Sequence, residues 1–389
     1  MFIRGLLDND QYKFTMQQAI LKLGFTATPV VYKFKCRNEG IDFRPVFNLI
    51  KEEINILKHF VLTKRELEFM KSIRYFSKEY LQLLKYFKFD PDLINVSINE
   101  ETGELDITIK GGWFQTILYE VPILSIVSQA YMSQFNIDIN YSIKRLHDKL
   151  ELIAPYKHFR FRDFGTRRRE SVHFHDILIR DCKEIVPIQF KGTSNLYLSM
   201  KHHVPSFGTM AHEWLQAHQQ LGYRVADSQK MALENWIKVY RGDLGIALAD
   251  VINTDAFLKD FDDPFFYKLF DGVREDSEPD PKTFGHKIIN FYLMNKIDPL
   301  RKTIVFSNSL DFEKALKLYW EFHNLIGITF GIGTYLTNDN GIVKPLNIVL
   351  KMVQCNGQPV AKISNSPGKG MCESPEYIAY LKSVFGINT

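Results

Sequence analysis

Cysteine is scarce: four residues in 389 (Cys36, Cys182, Cys355 and Cys372), far apart and in no CxxC or CxxH pair. This excludes a zinc knuckle and a disulfide framework, and it suits a reducing compartment. Long apolar runs are lacking too. The longest, VPILSIVSQAYM (121–132), is too short and too polar to span a bilayer. The N-terminus, MFIRGLLDNDQYKF, carries two acidic residues and no extended apolar stretch, so no secretory signal is expected and the expected location is cytoplasmic, away from membranes. Excess charge is also missing. The net charge is +4 and the one dense basic tract is Arg167–Arg169, so a nucleic-acid groove is not expected. Three arginines on one turn suit a small, multiply charged anion better. No low-complexity segment and no Pro- or Ser-rich linker interrupts the chain, whose length suits about two domains, rigidly docked.

What the chain does have is a repeated pattern. Seven times between Phe159 and Thr334 a short apolar run ends in Gly, Ser, Thr, Asp or Arg, usually before a helix-like stretch. The run ends are FRDFGTRRR (161–169), FKGTSN (190–195), SFGTMAHEW (206–214), ALADV (247–251), GVREDS (272–277), VFSNS (305–309) and FGIGT (330–334). Repeated strand, polar turn and helix predict an α/β fold, an irregular β/α barrel whose turns gather at one mouth. The turn markers Phe164, Gly192, Gly208, Asp250, Arg274, Ser307 and Gly331 are unevenly spaced, which argues against a perfect eightfold barrel.

The flanking regions read differently. NDQYKFTMQQAILKLG is an amphipathic helix closed by Gly24, VVYKFKCR (30–37) is strand-like, and residues 47–89 are helical. ELDITIK (104–110) alternates apolar and polar, as a half-buried strand does, and YSIKRLHDKLELIAPY (141–156) is a helix leading into the second domain. NIVLKMVQCNGQPVAKIS (347–364) reads as two strands about Asn356-Gly357, a tight-hairpin dipeptide. The expected division is an N-terminal mixed α/β domain over 1–140, completed by part of 345–389, and a barrel catalytic domain over 141–344.

Several turns carry chemistry, each with a plainer alternative. In FGIGT the backbone N–H groups about Gly331, Gly333 and Thr334 can face a phosphate, or the glycines can simply make a tight turn. In SNSLD, Ser307 and Ser309 can donate to a phosphate, or Ser309 can cap the following helix. Phe164 beside Arg167–Arg169 can stack on a flat ring while a guanidinium grips a carboxylate or phosphate, or the segment is a solvated basic turn. HEWLQAH (212–218) is not a zinc-peptidase helix, because its second histidine comes at i+6 rather than i+4. His212 instead starts a helix after the strand VPSFGTM, where the helix dipole favours an anion, including a phosphoryl group on the imidazole. His218 reads as structural. Asp250 and Asp276 end strands and can hold sugar hydroxyls or Mg²⁺. Asp255 reads as a helix cap. Arg274 with Asp276 offers a phosphate contact and a hydroxyl or metal contact, or a surface ion pair.

The chain resembles the nicotinate phosphoribosyltransferase family along almost its whole length. The segments that carry the resemblance are LLDNDQYKFTMQQA (6–19), FRDFGTRRR, FKGTSN, GTMAHEWLQAHQ (208–219), LGIALADVINTDAFLKDF (244–261), IVFSNSLD (304–311), FGIGTYLTND (330–339) and KPLNIVLKMVQCNGQPVAKISNSPGK (344–369). The resemblance implies that nicotinate is joined to phosphoribosyl pyrophosphate, coupled to ATP hydrolysis through a phosphohistidine, with Mg²⁺ on the leaving group and no metal ligand assigned. It places the phosphohistidine at His212 and catalytic carboxylates at Asp250 and Asp276. It places the ring between Phe164 and Tyr12, the latter from a neighbouring subunit of a homodimer, and an anion contact at Arg167, with Arg168, Thr193 and Ser194 also at the substrates. Arg274 and Asp276 would hold the phosphoribosyl group; Ser307, Asn308, Gly331, Gly333 and Thr334 would cradle its 5-phosphate. One turn departs from the pattern: DSEPD (276–280) has Glu278 where the family carries Gly, plus an extra residue. That departure is the motive for the alternative, a barrel that binds phosphate without turnover; a nicotinamide-using relative is the other rival.

Overall fold

The computed structural model describes residues 1–363 and 372–387. They form two compact units. The first takes Met1–Ala27, Val31–Gly208 and Ile332–Lys351; the second takes Thr28–Val30, Thr209–Gly331 and the chain from Met352.

The first unit begins with the helix Gln11–Lys22, buried from Gln11 to Ile20. It stops where Gly24 N–H bonds to the Leu21 carbonyl and Phe25 N–H to that of Ile20, the paired closure of a Schellman end. Strand β1 (Pro29–Cys36) neighbours β3 (Leu105–Gly112), which pairs antiparallel with β2 (Ile94–Ile98) in the register Val96 to Ile107. The apolar run at 121–132 is the helix Glu120–Met132, buried on almost every side. A helix that is apolar all round and only this long belongs inside a protein core. The lead-in helix Ile139–Ile153 precedes β4 (Phe161–Asp163), which runs parallel to β5 (Phe190–Thr193) across the helix Val172–Ile185. Ser171 caps that helix by accepting from Phe174 N–H.

The second unit contains four parallel strands: β6 (Ile246–Leu248), β7 (Gly272–Glu275), β8 (Thr303–Phe306) and β9 (Gly327–Ile332), whose final residue already belongs to the first unit. Helices Thr254–Phe261, Pro281–Met294 and Phe312–Phe322 follow β6, β7 and β8. These strands are short apolar runs closed by polar turns, so parallel pairing buries them on both faces. Gly272 is required by the pairing itself: a Cβ there would stand 1.8 Å from the Thr303 carbonyl oxygen. Strand β10 (Ile348–Cys355) turns through Asn356 and Gly357, with φ of 52° and 71°, into β11 (Gln358–Pro359). Two positive φ values in a two-residue loop are what Asn-Gly supplies in a hairpin. The last residue of the expected second arm, at 364, lies outside the described residues, as do 364–369 of the family-like C-terminal segment.

The class is mixed α/β, as expected. Six of the seven expected runs end strands. The third does not: around Ser206 there is a single parallel bridge to Thr193 and no strand. The reason is local. Pro205 has no N–H for a ladder, and Gly208 sits at φ 148°, outside strand geometry. Among the described residues, the strand pairings do not close into a ring. No described helix is long and apolar enough to cross a membrane.

Candidate functional site

Parallel register puts the ends of β6, β7 and β8 on one edge, with Leu248 opposite Arg274 and Arg274 opposite Val305. The polar residues just beyond each strand therefore emerge together. Asp250 follows β6, Asp276 follows β7, and Ser307 follows β8. The Ser307 hydroxyl lies 2.9 Å from the Glu275 carbonyl oxygen and 3.0 Å from an Asp276 carboxylate oxygen.

His212 opens the helix His212–Ala217. Its Nε2 lies 3.0 Å from Asp250 Oδ1 and 3.8 Å from Asp276 Oδ2. Lys362, far away in the chain, brings its Nζ to 2.6 Å from the same Nε2 and to 2.6 Å from Asp250 Oδ2. The Ser277 hydroxyl donates to Asp250 as well. Arg274 stands 4.0 Å from Asp276, and its other terminal nitrogen reaches the Met210 carbonyl at 3.5 Å. Asp250 is 1% exposed and Lys362 3%, whereas the His212 side chain keeps 17% of its surface open.

Electrostatics follow from this packing. Burial drives the His212 ring pKa down to about 4; Lys362 pushes the same way, while Asp250 and Asp276 oppose it. His212 is thus a neutral imidazole at neutral pH, with a lone pair on one ring nitrogen. Burial alone would raise the carboxyl of Asp250, but Lys362 and His212 outweigh it and hold it well below the usual range. Asp276 is held down in the same sense, against burial, by Arg274 and His212. One donor atom each from His212, Asp250 and Asp276 lie within 4.8 Å of one another, a spacing that suits a cation. The Lys362 ammonium, at 2.6 Å from two of these residues, already supplies that positive charge.

The remaining turns of this unit resolve into plain roles or auxiliary ones. Asn308 donates to the Glu278 carbonyl at 3.0 Å, tying the β8 turn to the atypical DSEPD turn. In that turn Glu278 N–H bonds to Glu275, Thr254 donates to the Glu278 carboxylate, and Asp280 caps the helix Pro281–Met294. The turn is therefore well satisfied in its altered form, and it leaves Arg274 and Asp276 at the strand end. Gly331 is buried within β9. Two expected caps are corrected. Asp311, not Ser309, caps Phe312–Phe322, because Ser309 takes a left-handed φ of 50° that turns the chain before the helix begins. Asn253, not Asp255, caps Thr254–Phe261; Asp255 falls inside the first turn and pairs with Lys287 at 2.7 Å. His218 is structural, held between the Trp214 carbonyl at 2.7 Å and Asn235 at 3.1 Å.

The first unit holds the other expected residues. Its three consecutive arginines part company. Arg169 is fully buried and grips Asp8 through two hydrogen bonds of 2.8 Å. Arg167 is 39% exposed and reaches Glu120 at 3.1 Å, while Glu120 also holds Lys13 at 2.5 Å. Arg168 reaches Asn347 at 3.3 Å. The Thr193 hydroxyl is spent on Asp163 at 2.6 Å and that of Ser194 on Asp10 at 2.8 Å. Phe164, partly exposed, is fixed by its N–H to the Ile332 carbonyl at 2.9 Å. A Cβ on Gly333 would come to 3.2 Å from the Phe164 carbonyl oxygen, so this turn packs tightly against the phenylalanine backbone; Thr334 opens the short helix after it. Tyr12 is 9% exposed and packs its backbone against Gly208.

Sequence reasoning missed Lys362 and the buried network in which Arg169 and the Asn195 amide, the latter at 2.7 Å, both donate to Asp8. The signal for Lys362 was available: a lysine within the apolar run PVAKI must either leave the core or find an anion there.

The chain is similar to known proteins along its whole length. Residues 159–389 match the model of the nicotinate phosphoribosyltransferase (NAPRTase) family, and residues 7–128 match the model of the NAPRTase N-terminal domain. The chain is 46% identical to the nicotinate phosphoribosyltransferase of Burkholderia mallei over 100% of its length and 98% of the relative's. It is 46% identical to that of Bordetella pertussis over 99% of its length and 95% of the relative's. Among solved structures it is similar to a nicotinate phosphoribosyltransferase from Vibrio cholerae, with a TM-score of 0.95 and 36% identity, covering 100% of this chain and 95% of the other.

Proposed function

We propose, for a chain that belongs to the nicotinate phosphoribosyltransferase family, that it joins nicotinate to the ribosyl carbon of phosphoribosyl pyrophosphate, releasing pyrophosphate and nicotinate mononucleotide for NAD biosynthesis. The observation that carries this reading is the buried His212–Asp250–Lys362 constellation beside Arg274 and Asp276, built where parallel strands end.

The chemistry asks for what these residues offer. As the bond from C1 to pyrophosphate lengthens, positive charge grows on the ribose, and ionised Asp250 and Asp276 are suited to stabilise it. Arg274 is suited to the phosphoribosyl anion. Ser307, Asn308, Gly331, Gly333 and Thr334 are assigned to its 5-phosphate, largely through backbone N–H groups. Phe164 and Tyr12 are assigned to the flat ring, with Tyr12 serving a neighbouring subunit of a homodimer. Arg167, half exposed and presenting a planar fork, is assigned to the nicotinate carboxylate or a nearby phosphate. Arg168, Thr193 and Ser194 complete the substrate-binding assignments; the hydroxyls of the last two act through the carboxylates they hold. The finer architecture we assign is an irregular β/α catalytic barrel over 141–344 with an N-terminal α/β domain over 1–140, in a cytoplasmic enzyme. Support for the barrel comes from the parallel β6–β9 ladder.

We further assign ATP coupling to His212. Its neutral ring attacks the γ-phosphorus: a nitrogen–phosphorus bond forms, the bond from phosphorus to the bridging oxygen breaks, and ADP leaves with the electron pair. Water later hydrolyses the phosphohistidine to inorganic phosphate. Mg²⁺ is expected to arrive on the phosphates of the substrates, whose charge it neutralises.

The test is direct. Nicotinate, phosphoribosyl pyrophosphate, Mg²⁺ and ATP should yield nicotinate mononucleotide, resolved chromatographically, with nicotinamide a far poorer substrate. Absence of product at saturating substrates sinks the reading, and a preference for nicotinamide replaces its substrate. γ-Labelled ATP should label the wild type and leave His212→Ala at background; equal labelling of both removes the phosphohistidine.

A further inference from the structure

Lys362 sits where an ammonium is costly unless it is well paired, at 3% exposure. The chain holds it there from both sides. Ala361 is clamped to Gln219 by two hydrogen bonds, its N–H to Oε1 at 2.9 Å and its carbonyl from Nε2 at 2.8 Å. Ile363 N–H bonds to the Val251 carbonyl at 2.9 Å. Gln219 lies one turn beyond the helix that His212 begins, and Val251 adjoins Asp250. The backbone on either side of the lysine is therefore tied to the same two segments that carry its partners. Such double anchoring sets the position of the ammonium as firmly as that of the groups it touches.

At 2.6 Å from Lys362 Nζ, Nε2 of His212 can only be an acceptor, because an ammonium has protons and no lone pair. The Asp250 oxygen at 3.0 Å from the same nitrogen competes for it, since a carboxylate wants a proton there. Asp250 takes both Lys362 and the Ser277 hydroxyl on Oδ2, so its charge is already met by a cation although Oδ1 alone faces Nε2. We infer that Lys362 is a positioning residue for His212: it holds Nε2 proton-free in the resting protein and leaves the ring proton on Nδ1. The use of that neutral ring rests on the reading of His212 as phosphoryl acceptor. The charged groups that face it are Asp250 from the end of β6, Asp276 from the end of β7 with Arg274 behind it, and Lys362 from the segment after the hairpin. Two carboxylates would by themselves favour a protonated ring; burial first, and Lys362 after it, offset them.

The test is nitrogen NMR of histidine-labelled full-length protein without nucleotide, with the His212 signals identified by their loss in His212→Asn. At pH 7 Nε2 should show the shift of an unprotonated, hydrogen-bonded nitrogen and Nδ1 that of a protonated one; the opposite tautomer overturns the inference. In Lys362→Met the ring should titrate at least about one pH unit higher than in the wild type, and Lys362→Arg should restore most of the difference. An unmoved midpoint in folded Lys362→Met, with folding checked by circular dichroism, also overturns it. Should Lys362→Met fail to fold, the wild-type spectrum and Lys362→Arg still decide. The two readings separate cleanly. The expected tautomer without labelling by γ-labelled ATP removes the phosphohistidine and keeps Lys362 in place, whereas labelling with the opposite tautomer does the reverse.

Discussion

Both units bury carboxylates against cations, yet the two clusters are built for different ends. In the first unit Asp8 and Arg169 are both fully buried and joined by two hydrogen bonds; Asn195 donates to Asp8 at 2.7 Å, and the Phe2 carbonyl takes another guanidinium proton. Burial would raise the Asp8 carboxyl, but Arg169 outweighs it and holds it low. The neighbouring Asp163 is likewise held low, against burial, by His175 at 2.7 Å. In the second unit Asp250 and Lys362 are almost as deeply buried, but the third member, His212, keeps a face open. A charge network closed on every side fixes chain segments and can do little else. A network with one open member can pass charge to a ligand. The first cluster thus braces the FRDFGTRRR turn, with Arg167 beside Glu120 at its partly exposed edge, and the second leaves part of the His212 ring open.

Three experiments test this contrast. The largest effect is expected from Asp8→Asn, which strands a fully buried guanidinium: stability should fall by about 3–5 kcal/mol in urea or thermal unfolding. A loss under about 1 kcal/mol would mean the cluster braces nothing. Acidification comes next. The ring pKa values of His212 and His218 are both driven down to about 4, first by burial, from an ordinary 6.5. Below 6.5 the unfolded chain takes up protons that the folded chain refuses. Stability from these residues is therefore complete above that pH and drains away as pH falls toward 4. For fully buried His218 the loss is on the order of 3 kcal/mol, read from melts across this range, and His218→Gln should flatten the slope. A level melting temperature across the window contradicts the assignment. The smallest effect is expected at the open edge of the first cluster. Arg167→Lys keeps the charge but loses the planar fork, so the KM for nicotinate should rise about tenfold with kcat nearly unchanged. A fall in kcat with unchanged KM would move Arg167 from binding into the chemistry.

Much of the fold was legible because each strand announces itself locally. Apolar runs such as TIVF and GITFGI, ending in polar turns, have few alternatives to buried parallel strands, and the Asn356-Gly357 turn follows from which residues tolerate positive φ. The SFGTM segment misled because its apolar residues resemble a strand end, while Pro205 and Gly208 deny it a ladder. Capping was ambiguous for a similar reason. Ser309 and Asp311, or Asn253 and Asp255, are all able caps, and only the point where the backbone enters helical angles chooses between them.

The candidate site was legible as a set of residue types and illegible as a set of partners. Strand periodicity and turn composition are local properties, so the sequence by itself determined the α/β class, the succession of β6 to β9, and His212, Asp250, Arg274 and Asp276 as residues at strand and helix ends. Which of three adjacent arginines is buried and which one faces outward, and that Lys362 meets His212 and Asp250, were decided only by tertiary structure. Ion pairing in a low-dielectric interior depends on distances of a few ångströms, between atoms that sequence separation does not relate.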